Sequence, residues 1–250
     1  MKIAVCVSHV PDTAARIKVG SDEKAIDPAG ITYVINPYDE YAVEEALKSK
    51  EMLGDDSEVI VISLGGDKNK ETIKKALAMG ADSGVLLKDE NPRDSIGVAK
   101  ALAEEIKAVG AELVFFGKQS VDYDNSIIGQ LTSELLNYSC ISVVVKFNVN
   151  DSKITAEREI EGGREVVQTE LPAIITCQKG LNEPRYASLK GIMAAKKKSI
   201  EEKPAADIEQ MSEVIKMHMP QPKQPGRIIG EDSAAVQELV KLLREEAKVI

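Results

Sequence analysis

The stretch Glu112-Leu113-Val114-Phe115-Phe116-Gly117-Lys118-Gln119-Ser120-Val121-Asp122-Tyr123-Asp124-Asn125-Ser126-Ile127-Ile128 passes from an apolar run, through a glycine and a polar junction, into an amphipathic segment. A short apolar run without alternation suits a strand buried on both faces, as in a parallel sheet. From about Asp124 to Leu136, the residues Ile128, Leu131 and Leu135 recur at helical spacing, which predicts a helix with that side inward.

The same unit recurs upstream. Apolar runs at 2–8, 57–64 and 84–88 read as further strands. Asn36-Pro37 opens a helix, with proline in its first turn. That helix buries Ala42, Val43, Ala46 and Leu47 and leaves Glu44 to pair with Lys48 outside. Asp67 is expected to cap a second helix, which presents Ile73, Ala76 and Leu77 and stops at Gly80. Asp94 opens a third, with Ile96, Ala99, Leu102, Ala103 and Ile106 inward and Gly110 past its end. Strands alternating with helices imply an α/β fold with a doubly wound, mostly parallel, Rossmann-like sheet.

After Tyr138 the pattern changes. Residues 141–149, 153–160 and 164–170 read as a small antiparallel sheet, with turns at Asn150-Asp151 and Gly162-Gly163. Val143, Val145, Phe147 and Val149 alternate with more mixed positions, so one face is covered. Pro172-Ala173-Ile174-Ile175-Thr176-Cys177 returns to the main sheet. Residues 1–198 are thus expected to form one α/β domain with an antiparallel insert at about 141–170. Residues 199–250 form an extended C-terminal arm, since four prolines between 204 and 225 and few large apolar clusters deny it a core. A helix at 232–247 carries Ala235, Leu239, Leu242 and Leu243 on one side, which packs on the chain's own body or on a partner subunit.

Of the 250 residues, 32 are Lys or Arg and 41 are Asp or Glu, a net charge of −9. That balance argues against nucleic-acid binding, which needs a basic face. No apolar run nears the ~18 residues that span a bilayer, so no membrane insertion is expected. Met1 to Ser8 reads as an opening strand rather than a signal-peptide core. The expected location is cytoplasmic for a prokaryotic source and the mitochondrial matrix for a eukaryotic one. Cys6, Cys140 and Cys177 are widely spaced in apolar runs and read as buried free thiols. With His9 and His218 the only histidines, no metal site is expected. No catalytic motif appears, so no residue is assigned a catalytic role and binding is favoured over turnover.

Ligands of open α/β sheets bind beyond the carboxyl ends of the strands. Cys6–His9, Asn36–Asp39, Leu64–Asp67 and Gly117–Ile128 fall there. Gly117 allows close backbone approach, and the free N–H groups of the following helix can hold a phosphate. Asp122 and Asp124 repel phosphate and suit helix capping or ribose hydroxyls instead. An ordinary polar loop with a capping aspartate fits equally well, and both readings stay open here. Ser63-Leu64-Gly65-Gly66-Asp67 is similar to an ATP-pyrophosphatase loop, with Leu64 inserted and the second serine missing. Lys196-Lys197-Lys198 reads as a solvated helix end, or as a cluster that steers an acidic partner.

An ordered set of segments resembles the β-subunits of electron-transfer flavoproteins. It comprises Asn36-Pro37-Tyr38-Asp39-Glu40 with Ala42 to Ala46, Ala76 to Asp82, and Gly117-Lys118-Gln119. It continues with Ile154 to Gly163, Leu171 to Thr176, Leu181 to Leu189, and Ile192-Met193 with the lysine run. The resemblance implies an adenine-nucleotide-binding fold in an obligate heterodimer with an α-subunit that carries most of the FAD site. AMP would be held by Cys6, Asn36, Pro37, Tyr38, Asp39, Leu64 and the run Gly117, Lys118, Gln119, Ser120, Val121, Asp122, Tyr123, Asp124, Asn125, Ser126, Ile127 and Ile128. Loop 182–198 would dock dehydrogenases such as acyl-CoA dehydrogenases through Leu189, with Arg185, Tyr186, Ile192 and Met193 around it. Glu159 would meet the mobile flavin domain, and a membrane quinone oxidoreductase would take the electrons. Thr13 stands where some members carry a flavin-proximal tyrosine, and Tyr38 is the other candidate. Ala194 replaces a lysine methylated in some members. Electron-bifurcating relatives hold a second FAD in place of AMP, but Asn125-Ser126-Ile127-Ile128-Gly129-Gln130 looks more like the AMP type. A nucleotide-hydrolysing or adenylating enzyme would need an intact phosphate loop, which Leu64 and Lys68 spoil. A stress-type ATP-binding homodimer leaves loop 182–198 and the arm unexplained.

Overall fold

A computed structural model describes residues 1–54, 56–223 and 225–250. In chain order the elements are β1 (Lys2–Cys6), β2 (His9–Pro11), β3 (Tyr33–Ile35), α1 (Pro37–Leu53), β4 (Glu58–Gly65), α2 (Asn69–Met79), β5 (Ser83–Lys88) and α3 (Ser95–Val109). There follow β6 (Leu113–Gly117), α4 (Ile128–Leu136), β7 (Ser139–Asn150), β8 (Lys153–Ile160), β9 (Gly163–Glu170), β10 (Ala173–Cys177), α5 (Leu189–Ala195), β11 (Ile200–Pro204) and α6 (Ala235–Glu245).

One sheet runs β11-β5-β4-β1-β6-β10-β7-β8-β9, and β2 with β3 forms a separate antiparallel pair. Every pairing from β11 to β7 is parallel, whereas β7-β8-β9 is antiparallel. The doubly wound α/β class is therefore as expected, with the antiparallel strands continuous with the main sheet. Alternation along β1 explains the two layers. Ile3 and Val5 join the core under α1 and α2, while Ala4 and Cys6 join the core with Leu102 and Ile106 of α3. Both faces are dry, which is why these strands are almost wholly apolar.

Several local expectations are corrected. The opening strand ends at Cys6, and His9–Pro11 turns away to pair with Tyr33–Ile35. Asp67 does not cap α2, whose N-cap is Lys68 without a side-chain bond; Asp67 instead pairs with Lys70 and Lys88. Asp94 does cap α3, accepting the Gly97 amide at 2.7 Å, and Gly110 takes the left-handed conformation past its end. Ile96 on that helix is only half-buried. Helix α4 starts at Ile128 rather than Asp124, and Leu135 is 48% exposed, not inward. Cys140 is exposed, because β7 is still near the sheet's rim there, while Cys6 and Cys177 are buried.

Two further differences have a common cause in strand pairing. Val143 has φ +61 at the point where β7 changes partner from β10 to β8, and the resulting bulge shifts the inward phase. Ile141 and Val144 are buried as a result, rather than Val143 and Val145. Ile200–Pro204, read as the start of the arm, pairs with β5 as the sheet's edge strand. An edge tolerates lysine and proline, so its sequence carries little strand signal. Beyond it, the arm crosses the α3 N-terminus, where Asp94 accepts the amides of Met211 and Ser212. Helix α6 buries no side chain among the described residues.

Candidate functional site

The strand order reverses at β1, which has β4 on one side and β6 on the other. At such a switch point the connections leave to opposite faces and open a crevice at the carboxyl ends. Here those ends are Cys6 to Ser8 and Gly117. The first turn of α1 enters the crevice and holds it together.

Asp39 is the centre of that junction. Its buried carboxylate accepts the Ser8 amide at 2.7 Å, the Asn36 side-chain amide at 2.9 Å and the Gly117 amide at 3.1 Å. Asn36, fully buried, also donates to the Gln119 carbonyl at 2.8 Å and accepts the Val121 amide at 3.2 Å. Asn36 occupies the N-cap position of α1, yet its side chain serves the neighbouring loop and makes no cap bond. Burial pushes the Asp39 carboxyl up to about 7, although its three donors pull the other way. Burial also raises the Cys6 thiol, so that side chain is packing rather than a nucleophile.

Gly117 is required by closeness. A Cβ there would lie 2.7 Å from Tyr38 Cβ and 2.8 Å from the Tyr38 carbonyl carbon. Tyr38 turns outward, with the Lys118 ammonium 5.4 Å from its ring centre. From Ser120 the chain coils through two left-handed non-glycine residues, Asp124 (φ +56) and Ser126 (φ +54). Each such residue costs about 1–2 kcal/mol, a strain that clusters at functional loops. Gln119 donates to Asp124 and accepts the Ser126 hydroxyl at 2.9 Å, and Asn125 reaches Ser95 at 3.1 Å.

Neither Asp122 nor Asp124 caps α4, contrary to expectation. The N-cap is Ile127, without a side-chain bond, and the first helical amide bond runs from Leu131 to the Ile127 carbonyl. The amides of Ile128, Gly129 and Gln130 precede that bond, and an N-terminal turn of this kind favours an anion. Gly129 is buried against Thr176 and Ile174, which seats the turn directly on β10.

Leu64 lies at the end of β4, the strand beside β1. There Asn69 donates to the Ser63 hydroxyl at 3.0 Å and to the Leu64 carbonyl at 3.1 Å, and Ser63 donates to the Val7 carbonyl at 2.8 Å. A Cβ on Gly66 would meet the Glu90 carboxylate at 2.5 Å. A carboxylate in that position makes the turn unsuited to phosphate, so the pyrophosphatase likeness does not extend to the site. Thr13 is exposed in a turn, away from the Asp39 junction in the bonding pattern.

The second region is loop 182–198. Tyr186 is 98% exposed, Leu189 83%, and Ile192 and Met193 are exposed beside them. Arg185 is not free at its tip: its guanidinium bonds Glu44 and Glu51 of α1. Glu44, expected outside with Lys48, is buried under that guanidinium. No local sequence signal marks this burial, because Glu44 has Glu40 and Lys48 at helical spacing and so has the pattern of a solvated position. Lys198, the last of the lysine run, donates to the carbonyls of Leu77, Gly80 and Ala81 and so caps α2 rather than its own helix. Glu159 is exposed at the end of β8 and accepts Gln178 at 2.8 Å.

A switch-point crevice beside an exposed apolar loop defines a protein of the doubly wound α/β class. Residues 24–208 match the family model described as "Electron transfer flavoprotein domain". The chain is 40% identical to an electron transfer flavoprotein subunit beta of Bradyrhizobium diazoefficiens, with all of both chains covered. It is 36% identical to the same-named subunits of Bacillus subtilis, over all of both chains, and of Mus musculus, over 100% of this chain and 99% of that one. The chain belongs to the electron transfer flavoprotein β-subunit family. Among the described residues, no helix is long and apolar enough to cross a membrane.

Proposed function

We propose that the chain is the nucleotide-holding and partner-docking half of a heterodimeric electron carrier, with no turnover of its own. Its counterpart is an α-subunit that holds most of an FAD. The bound flavin supplies the electron-accepting and electron-donating chemistry. This chain's residues hold a structural AMP, orient the loops around it and present a docking surface.

The AMP reading rests on Gly117 and the N-terminal turn of α4. Gly117 lets the first turn of α1 close against the end of β6, and the Ile128, Gly129 and Gln130 amides beyond it offer donors suited to a phosphate. Tyr38, Lys118, Ser120 and the 121–126 run line the approach, with Asp122 suited to ribose hydroxyls. Asn36 and Asp39 serve this site by tying its loops together, and Cys6 packs behind them.

The observation that carries the docking reading is the exposure of Tyr186 and Leu189 on a loop whose base is bonded to α1. Two large side chains held outward in water are suited to a partner's apolar pocket, with Ile192 and Met193 beside them. Dehydrogenases, acyl-CoA dehydrogenases among them, are the proposed donors, and a membrane quinone oxidoreductase the acceptor. Glu159 is assigned to the mobile flavin domain, and Thr13 and Tyr38 are the two candidates for a contact near the flavin. The apolar side of α6 and the arm before it are assigned to the α-subunit.

The test is to co-purify the complex, record its absorption spectrum and identify the nucleotides released on denaturation. About one FAD and one AMP per heterodimer is the expected result. Two FAD would place the chain on the electron-bifurcating branch, and a colourless homodimer would overturn the reading.

A further inference from the structure

Helix α1 joins the two regions that the proposed function uses. Its first turn carries Asp39 at the switch point, and its middle turns carry the carboxylates that hold loop 182–188. The Glu44 side chain is 4% exposed, and both its oxygens face Arg185. Oε2 accepts the Arg185 backbone amide at 3.1 Å and Nε at 2.8 Å, while Oε1 accepts Nη2 at 2.9 Å. Nη1 reaches the more exposed Glu51 at 2.7 Å. Three residues earlier, Asn182 donates to the Tyr41 carbonyl at 3.0 Å and to Glu45 at 2.8 Å. The loop is fixed again downstream, where Ser188 accepts the Gly191 amide at 3.0 Å and Gly191 presses on the Ala78 carbonyl. Tyr186 and Leu189 project beside these anchors.

We propose that Glu44 is a positioning residue of the docking surface: its buried carboxylate fixes Arg185, and through Arg185 it holds Tyr186 and Leu189 in the conformation that a partner meets. The inference rests on the docking reading of loop 182–198. A planar guanidinium matches a carboxylate with two parallel bonds, and the backbone amide adds a third that fixes the main chain as well as the side chain. An ordered loop enters a partner's pocket without a further loss of conformational freedom, whereas a mobile one must be ordered at each encounter. Glu44→Gln keeps the volume but removes the charge that selects the Arg185 geometry. Arg185 then has only the exposed Glu51, and the segment from Glu183 to Ala187 gains conformers.

The experiment uses the full-length chain in its complex with the α-subunit. Glu44→Gln, the double variant Glu44→Gln with Arg185→Gln, and Leu189→Ala are compared with wild type. The double variant leaves no unpaired buried charge, so it carries the test if the single one does not fold. Electron transfer from an acyl-CoA dehydrogenase reduced with octanoyl-CoA is measured against complex concentration, and amide exchange is followed over 183–190. The expected result is a KM for the complex raised on the order of tenfold by either Glu44 variant, with kcat and bound nucleotide unchanged. Exchange over 183–190 quickens in those variants, while the first turn of α1 stays protected. Leu189→Ala raises KM and leaves exchange as in wild type. If Leu189→Ala raises KM and the Glu44 variants do not, the positioning role is overturned and the docking surface stands. If Leu189→Ala has no effect, the docking reading falls, and the inference with it.

Discussion

The Asp39 carboxylate accepts the Gly117 amide at 3.1 Å, joining the first turn of α1 to the end of β6 across 78 positions of sequence. The other carboxylate oxygen takes the Ser8 amide, so one buried side chain ties together both strand ends at the switch point. A buried carboxylate with three donors is a strong structural tie and also a titratable one.

The stability of the fold is therefore expected to depend on pH through Asp39. The folded carboxyl keeps its proton up to about 7, because burial raises it, whereas an unfolded aspartate releases its proton near ~3.9. Between those values the folded state binds more protons, so its stability is greatest below the window and falls as pH rises through it. The slope approaches about 1.4 kcal/mol per pH unit for this one group. Urea unfolding of the complex between pH 4 and 8 checks it. Asp39→Asn should remove this component and lower stability by about 1–3 kcal/mol, because one donor then faces the Ser8 amide.

Gly117→Ala is expected to destabilise the chain by about 1–3 kcal/mol, the usual range for forced overpacking. The new Cβ would sit 2.7 Å from Tyr38 Cβ. The neighbouring atoms belong to a helix's first turn, which cannot yield as a flexible side chain would. Nucleotide content after gel filtration should fall with it. A stable variant with full nucleotide content would mean that α1 does not constrain the site.

Lys198→Met should cost about 1–2 kcal/mol, since the ammonium satisfies carbonyls at the end of α2 in a half-buried setting. Burial lowers this lysine from its ordinary value, with Asp82 opposing the effect. The loss should appear in chemical denaturation and be partly recovered by arginine at the same position. The exposed Lys196 and Lys197 should show changes within about 0.5 kcal/mol.

Leu239→Glu combined with Leu243→Glu is expected to leave the circular dichroism of the sheet unchanged and to reduce recovery of the α-subunit in co-purification. Helix α6 buries none of its side chains against this chain among the described residues. Loss of the sheet itself in that variant would show that the helix packs on its own body instead.

Much of the framework was legible in local pattern. The strands β1, β4, β5 and β6 announce themselves because both faces of a parallel sheet are dry, and Asp94, Gly80 and Gly110 mark helix ends by short-range geometry. The Gly117–Ile128 segment was equally legible as the polar connection between β6 and α4, because a strand end leading into a helix follows from the fold class. Sequence failed where a residue's partner lies far along the chain. Asp67 has the residue type of a cap yet is drawn to Lys88, and Glu44 has the spacing of a solvated acid yet is drawn to Arg185.

What the sequence by itself determined, then, is the alternation of strands and helices, the family, and the segments that meet at the switch point. Only the tertiary structure decided that Asp39 and Asn36 act by holding those segments together. It also decided that Glu44 lies beneath Arg185, that Lys198 caps a distant helix, and that Ile200–Pro204 completes the sheet's edge. The physical reason is the same in each case. A charge or a strand edge is satisfied by whichever partner the fold brings within bonding distance, and period and propensity report only on neighbours a few residues away.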